Sequence, residues 1–411
     1  MPLPTRSQFV TRRIAVLGAG ALASLTVVYL AGTLFAPLPV VNATMAAVSG
    51  PPEDRAAASP QWPSYGHGAV GAVDFDGNLA IHGDKRPVPI ASITKVVTTL
   101  VVLDEKPLRV GDNGPDILFT DADFDIYNHD LTQDASVAHV EVGSVLTERQ
   151  VIEATLLPSA SNYAQSLAKW AFGSVDKYLE IAKTWLELHG LAQTTVVDTS
   201  GLSPLNVSTT TNLVELGKLA LGHPVVSDIV ATPQVTIPGA GVITNSNTLL
   251  GVNGVDGIKT GTTDEAGYCL LFAKPLVTGS KRVTIVGVLL GGPNRSQLNE
   301  DIDSLLSSVA KDFHEVTVVT ENQRFGTYST AWGQNADLVS GRTVTAVVWA
   351  DTPVSISAQA RPVSIESASA EVGTVNVTIG PTTLAVPLRL AETTSDPGAW
   401  WRITHPVSLV G

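Results

Sequence analysis

The residues best suited to chemistry in this chain are a serine and a lysine one helical turn apart. Ser92-Ile93-Thr94-Lys95 puts a hydroxyl and an amine on the same helical face. A serine needs an adjacent base before it can attack a carbonyl, and a neutral lysine amine can be that base. The same spacing recurs at Ser166/Lys169, Ser174/Lys177 and Ser308/Lys311. Context separates Ser92 from these: a strand hairpin upstream, an entry running from Pro87 to Ala91, and a strongly apolar helix after it. A buried helix places Lys95 in low dielectric, which disfavours its charged form. The other quartets lie on mixed polar surfaces and read as solvated faces.

A second constellation is Lys259-Thr260-Gly261-Thr262, which enters an alternating apolar segment (Tyr268, Leu270, Phe272) with the period of a strand. Glycine at position 261 lets another backbone lie close against that strand. Lys259 adds fixed positive charge, and Thr260 and Thr262 add hydroxyls. The run has the makings of a docking edge for an extended peptide that ends in an anion.

The elements that must position these residues follow in order. Arg6, Arg12 and Arg13 precede an uncharged run from Ile14 to Ala36, long enough to span a bilayer. The arginines place residues 1–13 in the cytoplasm and everything after the span outside. Small residues at Val41-Asn42-Ala43 and Met45-Ala46-Ala47 leave later cleavage open. Residues 37–60, rich in Pro, Ala and Ser, read as a linker. Residues 69–82 alternate around Asp76-Gly77 as a hairpin. Helical spacing follows at 93–103, 147–157, 163–172, 174–189, 211–221 and 296–313, with a buried strand at 281–290. From 316 the texture turns Val- and Thr-rich with Gly and Pro turns, which predicts a separate β domain over 316–411.

Composition removes several classes of function. The 411 residues are 44% hydrophobic and 15% charged, with a formal net charge of -13. No basic stripe is present to meet nucleic acid. The single cysteine, Cys269, excludes an intrachain disulfide and reads as a small core residue. The histidines form no spaced pair for zinc, so no metal and no cofactor is expected. The acidic stretch Asp121, Asp123, Asp125, Asp130 and Asp134 lacks the glycine and twelfth-position acid of a calcium loop and reads as a solvated helix start. Trp400-Trp401 reads as core of the β domain.

The order of the constellations resembles the penicillin-binding D-alanyl-D-alanine carboxypeptidases of low molecular mass, whose motifs run Ser-x-x-Lys, Ser-x-Asn, Lys-Thr-Gly. Ser92/Lys95 opens the set and Lys259-Thr260-Gly261 closes it, within the flanks PIASITK, TLLPSASNYA, VDTSGLSPLNVST and VDGIKTGTT. The likeness covers about residues 60–315. One departure stands out: the middle motif reads Ser159-Ala160-Ser161, so Ser161 occupies the asparagine position and Asn162 follows it. A serine hydroxyl lacks the paired donor and acceptor of an amide. That role falls to Ser161 or, by a local shift, to Asn162.

The resemblance implies a mixed α/β transpeptidase-like domain over 61–315, with an antiparallel sheet flanked by helices. It implies a hydrolase that releases the terminal D-Ala of peptidoglycan stem peptides outside the membrane and is trapped by β-lactams. Ser92 would form the acyl-enzyme, Lys95 take its proton and Ser159 relay it. Lys259, Thr260, Gly261 and Thr262 would bind the terminal carboxylate, with Ser161 and Asn162 on the substrate amide. The backbone N–H groups of Ser92 and Thr262 would form the oxyanion hole. Alternatives are a DD-endopeptidase on the same residues and a catalytically weakened β-lactam- or wall-binding protein. A serine β-lactamase fits less well, because no deacylating glutamate stands in 198–210.

Overall fold

The computed structural model describes residues 6–48 and 56–409. Tertiary contacts divide the chain into one unit over 56–315 and a second that joins 316–411 to the N-terminal segment. The N-terminal helix α1 is Arg6–Leu34, and residues 1–5 of the expected cytoplasmic segment lie outside the described residues.

The unit over 56–315 is mixed α/β, as expected. Its sheet holds β2 (His67–Ala72), β3 (Ala80–His82), β4 (Ile258–Thr263), β5 (Gly267–Thr278) and β6 (Lys281–Gly292). The strands run antiparallel in the order β4-β5-β6-β2-β3. β6 is buried at Val283, Ile285, Val286, Val288, Leu289 and Leu290. Covered on both faces, it has no polar side, which is why its sequence is continuously apolar. Gly287 pairs with Phe272, and a Cβ there would lie 2.4 Å from the Phe272 ring. The β2–β3 hairpin turns through Asp74 and Gly77, both at positive φ. β4, which carries Lys259, Thr260 and Gly261, is an edge strand.

The helices α2 (Thr94–Glu105), α3 (Asp121–Thr132), α4 (Glu148–Leu156), α5 (Ser161–Phe172) and α6 (Val175–Leu188) pack together beside this sheet. α2 is the central one: every residue from Thr94 to Leu103 is buried. Its β-branched run is a poor intrinsic helix former, so tertiary burial holds it rather than propensity. Thr98 Oγ1 donates to the Thr199 carbonyl at 2.8 Å and meets the Tyr178 hydroxyl at 2.8 Å. α4 opens on a capping box between Thr147 and Gln150, and α5 closes on Gly173 in the left-handed region. The helix expected over 296–313 is Arg295–Ala310, and Phe313–Val319 is already a strand.

In the second unit a six-stranded sheet runs Thr44–Met45 (β1), Arg324–Ser329, Asn335–Ser340, Thr382–Leu390, Glu371–Ile379, Val354–Ala360. Phe325, Tyr328, Leu338, Val375, Val377, Val386 and Leu388 form its core. Within residues 37–48, read above as linker, a two-residue strand joins this sheet and Val41 forms an isolated bridge. Thr44 and Met45 pair with Thr327 and Gly326, and Val41 exchanges backbone bonds with Val363 at 2.8 and 3.0 Å. The edge of Arg324–Ser329 supplies unpaired backbone groups that this segment satisfies. Residues 49–55 of the expected linker lie outside the described residues.

Glu148 begins α4 fully buried, and neither carboxylate oxygen has a hydrogen-bond partner. Gly114 lies against it: a Cβ there would meet Oε2 at 2.6 Å. Burial pushes the Glu148 carboxyl up to about 7. The folded state therefore holds the proton more tightly than the unfolded chain. The stability this brings is complete below the ordinary glutamate range and is lost as pH rises through about 7. Glu148→Gln removes that dependence. Its melting temperature relative to wild type should be higher at pH 8 than at pH 5, and an offset that does not change with pH would contradict the assignment.

Candidate active site

Ser92 lies in a tight helical turn, Ala91–Ile93, that runs directly into α2. The preceding residue, Ala91, is held at φ 47°, a left-handed conformation that costs a non-glycine residue of order 1 kcal/mol or more. Thr94 Oγ1 donates to the Ala91 carbonyl at 2.9 Å and fixes the turn from below. Two glycines fix it from the sides. A Cβ on Gly201 would lie 1.9 Å from the Ala91 oxygen, and one on Gly261 would lie 3.1 Å from both Ala91 Cβ and the Ile90 oxygen. The close approach that Gly261 permits is thus made by the turn carrying Ser92, which brings the two outer motifs into contact.

Lys95 has no exposed surface, and its Nζ lies 2.9 Å from Ser92 Oγ. The same nitrogen donates to Ser161 Oγ at 3.2 Å and to the Ser200 carbonyl at 2.8 Å. All three are neutral oxygens. Burial brings the amine down to about 7, opposed by the negative charges of Asp198 and Asp130. Asp198 does not bond the amine. Its oxygens accept from the backbone N–H of Ser200, Gly201 and Ser203 and from Asn206 Nδ2, between 2.6 and 2.8 Å. The turn at 198–202, expected to support the site wall, also hands Lys95 the Ser200 carbonyl.

The middle motif is divided between the site and the core. Ser161, first residue of α5, is the one whose hydroxyl meets Lys95. Ser159, in the loop before it, is 6% exposed and sits at φ 69°. Asn162 is turned away: its Nδ2 donates to the Ala138 carbonyl at 2.9 Å and its Oδ1 accepts from the Ala138 N–H at 3.2 Å. With both halves of the amide engaged in the core, Asn162 stands outside the substrate site expected for it. Sequence spacing alone left Ser161 and Asn162 open, because the choice depends on which residue starts α5.

On β4, Lys259 is buried and donates to Thr260 O at 3.1 Å and Oγ1 at 3.4 Å. Burial first, then the charges of Lys95 and Arg295, hold it well below the usual lysine range. Thr260 Oγ1 meets Ser246 Oγ at 2.6 Å. Arg295 donates to Thr262 Oγ1 at 2.9 Å and to the Cys269 carbonyl at 3.2 Å, and its guanidinium sits 5.1 Å from the Tyr268 ring centre. No motif pointed to Arg295; the signal available was its place just after the third strand of a hairpin pair. Cys269 is fully buried, and burial pushes its thiol up to about 12.

Asp130 departs from the solvated reading. The acidic stretch opens α3 as expected, with Asp123 closing a capping box on Thr120. Asp130, at the other end of the helix, is only 4% exposed and acts electrostatically on Lys95. Its position in the last turn, facing inward, is where the helical period departs from an all-solvated reading.

A serine and a desolvated lysine in contact, next to an edge strand carrying a second lysine, define a serine acyl-transfer site. Residues 77–293 match the sequence model of peptidase family S11, the D-alanyl-D-alanine carboxypeptidases, and the chain belongs to that family. It is 29% identical over 254 residues to a D-alanyl-D-alanine endopeptidase of Pseudomonas aeruginosa, covering 58% of this chain and 75% of that one. It is 28% identical over 233 residues to the D-alanyl-D-alanine carboxypeptidase of Streptomyces strain K15, covering 53% and 77%. Among solved structures, a variant of the Streptomyces K15 DD-transpeptidase aligns with a TM-score of 0.54 at 24% identity, over 61% of this chain and 98% of that one. Penicillin binding protein 5 from Haemophilus influenzae aligns with a TM-score of 0.58 at 16% identity, over 85% and 100%. These two share the fold.

If Lys95 is the base, kcat/KM for acylation should rise about tenfold per pH unit below 7 and level off above it, since the neutral amine is the active form. A profile flat between pH 5.5 and 8.5 would remove Lys95 from that role.

Proposed function

We propose that this protein removes the terminal D-Ala from peptidoglycan stem peptides through an acyl-enzyme on Ser92. The observation that carries this reading is the 2.9 Å contact between Ser92 Oγ and a fully buried Lys95 amine. Neutral Lys95 accepts the Ser92 proton as Oγ attacks the carbonyl of the penultimate D-Ala. The developing oxyanion is held by the N–H groups of Ser92 and Thr262, each donor worth about 2.7–4 kcal/mol. The proton then passes to the leaving D-Ala nitrogen through the hydroxyls beside Lys95. The contact at 3.2 Å favours Ser161 for this step over Ser159. The substrate lies along the β4 edge, and its carboxylate meets Lys259, Thr260, Thr262 and Arg295. Water repeats the sequence in reverse to release the shortened peptide. A β-lactam acylates the same serine and is released slowly.

Cleavage of cross-linked peptides by the same residues is the second reading. It is favoured by the relatives from Pseudomonas aeruginosa and Escherichia coli, both named D-alanyl-D-alanine endopeptidases. The peptidoglycan substrate also fits an exported protein held by α1, which is long and apolar enough to cross a membrane.

Incubation with benzylpenicillin followed by intact mass spectrometry should show one penicilloyl adduct. Ser92→Ala should lose the adduct and lower D-Ala release from a D-Ala-D-Ala peptide by on the order of 10⁴-fold while keeping its melting temperature. Labelling that survives this change would move the nucleophile elsewhere. An adduct on the wild type without D-Ala release, but with cleavage of a cross-linked dimer, would select the endopeptidase. Ser161→Ala removes the hydroxyl in contact with Lys95 and should lower turnover severalfold; an unchanged rate would take Ser161 out of the relay and return that step to Ser159.

A further inference from the structure

The six-stranded sheet of the second unit has two edges, and only one of them is closed. β1 covers the strand Arg324–Ser329. At the other end, Val354–Ala360 pairs with Glu371–Ile379 on one side and, among the described residues, with no strand on the other. An open edge is a template for another chain, and folded proteins guard it with charge, an internal proline, a bulge or a cover. This edge has none of these. Its seven residues read Val-Ser-Ile-Ser-Ala-Gln-Ala, without a charge or a proline, and their register runs unbroken. Ser355, Ser357 and Gln359 are exposed.

Which backbone groups are free follows from the ladder. The Gly380 N–H donates to the Pro353 carbonyl at 3.1 Å, and the Arg361 N–H to the Val372 carbonyl at 2.8 Å. Opposed residues of an antiparallel pair alternate between bonded and non-bonded, so Ser355, Ser357 and Gln359 direct their backbone groups to the neighbouring strand. Val354, Ile356, Ala358 and Ala360 turn theirs outward. The side chains of these four lie on the core face: Val354 is buried, and Ile356, Ala358 and Ala360 are half-buried against the core. Pro353 and Pro362 bracket the segment and limit how far a ladder can extend.

The occupant that this edge fits is its own copy. An antiparallel two-fold centred on Ser357 is the register that uses all four outward residues, each exchanging two bonds with its mate, about eight in all. On the core face it sets Val354 against the partner's Ala360 and Ile356 against the partner's Ala358, a larger side chain against a smaller one each time. On the outer face Ser357 meets the partner's Ser357, and Ser355 meets the partner's Gln359. These are hydroxyl and amide pairs, so two copies of a chain with a net charge of -13 meet here without opposing like charges. We propose that Val354–Ala360 is a self-pairing strand that joins two C-terminal units into one continuous sheet about a closed two-fold.

Oxidation of membranes carrying the full-length Ser357→Cys chain should give a disulfide-linked pair, since the two Cα atoms at 357 would stand about 4.5 Å apart, within disulfide reach. Ser355→Cys should give none, its two copies lying more than about 13 Å apart. The native Cys269 is fully buried, so the unaltered chain is the control. In detergent micelles the wild type should sediment as a pair. Ala358→Pro removes one outward N–H and leaves the ladder to Glu371–Ile379 intact; it should weaken the pair more than about tenfold. Benzylpenicillin labelling and the melting temperature show that each variant is folded. The proposal is overturned by a wild type that sediments as single chains, or by a pair that persists undiminished in Ala358→Pro. Cross-linking of Ser357→Cys to other proteins in place of itself, or equal cross-linking at 355 and 357, overturns it as well.

Discussion

A lysine ammonium taken out of water must either be surrounded by charged acceptors or give up its proton, and the catalytic unit is arranged around the second outcome. Lys95 has no exposed surface, and the oxygens in contact with it belong to two hydroxyls and a carbonyl. The nearby carboxylate that would have restored its charge, Asp198, is occupied by three backbone N–H groups and Asn206. The acid that holds the loop is thus kept off the amine, and the loop supplies a neutral carbonyl in its place. Burying α2 along nearly its whole length serves the same end, because desolvation is what lowers the amine.

The geometry around Ser92 depends on backbones that approach more closely than side chains permit. Gly201 and Gly261 both pack against the turn that holds Ser92, and Ala91 beside them accepts a left-handed conformation. Such strain persists only where the surroundings over-determine it. Here the over-determination comes from the Asp198 loop on one side and the β4 edge on the other. The Lys-Thr-Gly run is therefore a wall for the serine.

In the second unit, residues on either side of the catalytic unit in the sequence are joined in one sheet. A segment that composition marks as linker gains its order from an unpaired sheet edge, a feature that belongs to the partner strand and not to the segment itself. Trp400 and Trp401, expected in the core of this unit, stay out of it: Trp400 is exposed, and Trp401 is half-buried against Trp332.

The sequence by itself determined the features that depend on local order and period. Ser92 and Lys95 face the same way because they are one helical turn apart, β6 is buried because its run has no polar side, and the hairpin at Asp76-Gly77 follows from its turn residues. The motif order carried the family, and with it the mixed α/β architecture, while the Val- and Thr-rich texture after 316 carried the β-rich tail. Tertiary structure alone decided what depends on distant chain segments meeting. It put Ser161 rather than Asn162 on Lys95, because α5 begins at Ser161 and the Asn162 amide finds Ala138. It brought Arg295 to Thr262 and turned Asp130 inward, and it made Thr44 and Met45 an edge strand. Each of these rests on a hydrogen bond or burial between residues far apart in the chain, and no local pattern of residue types encodes such a contact.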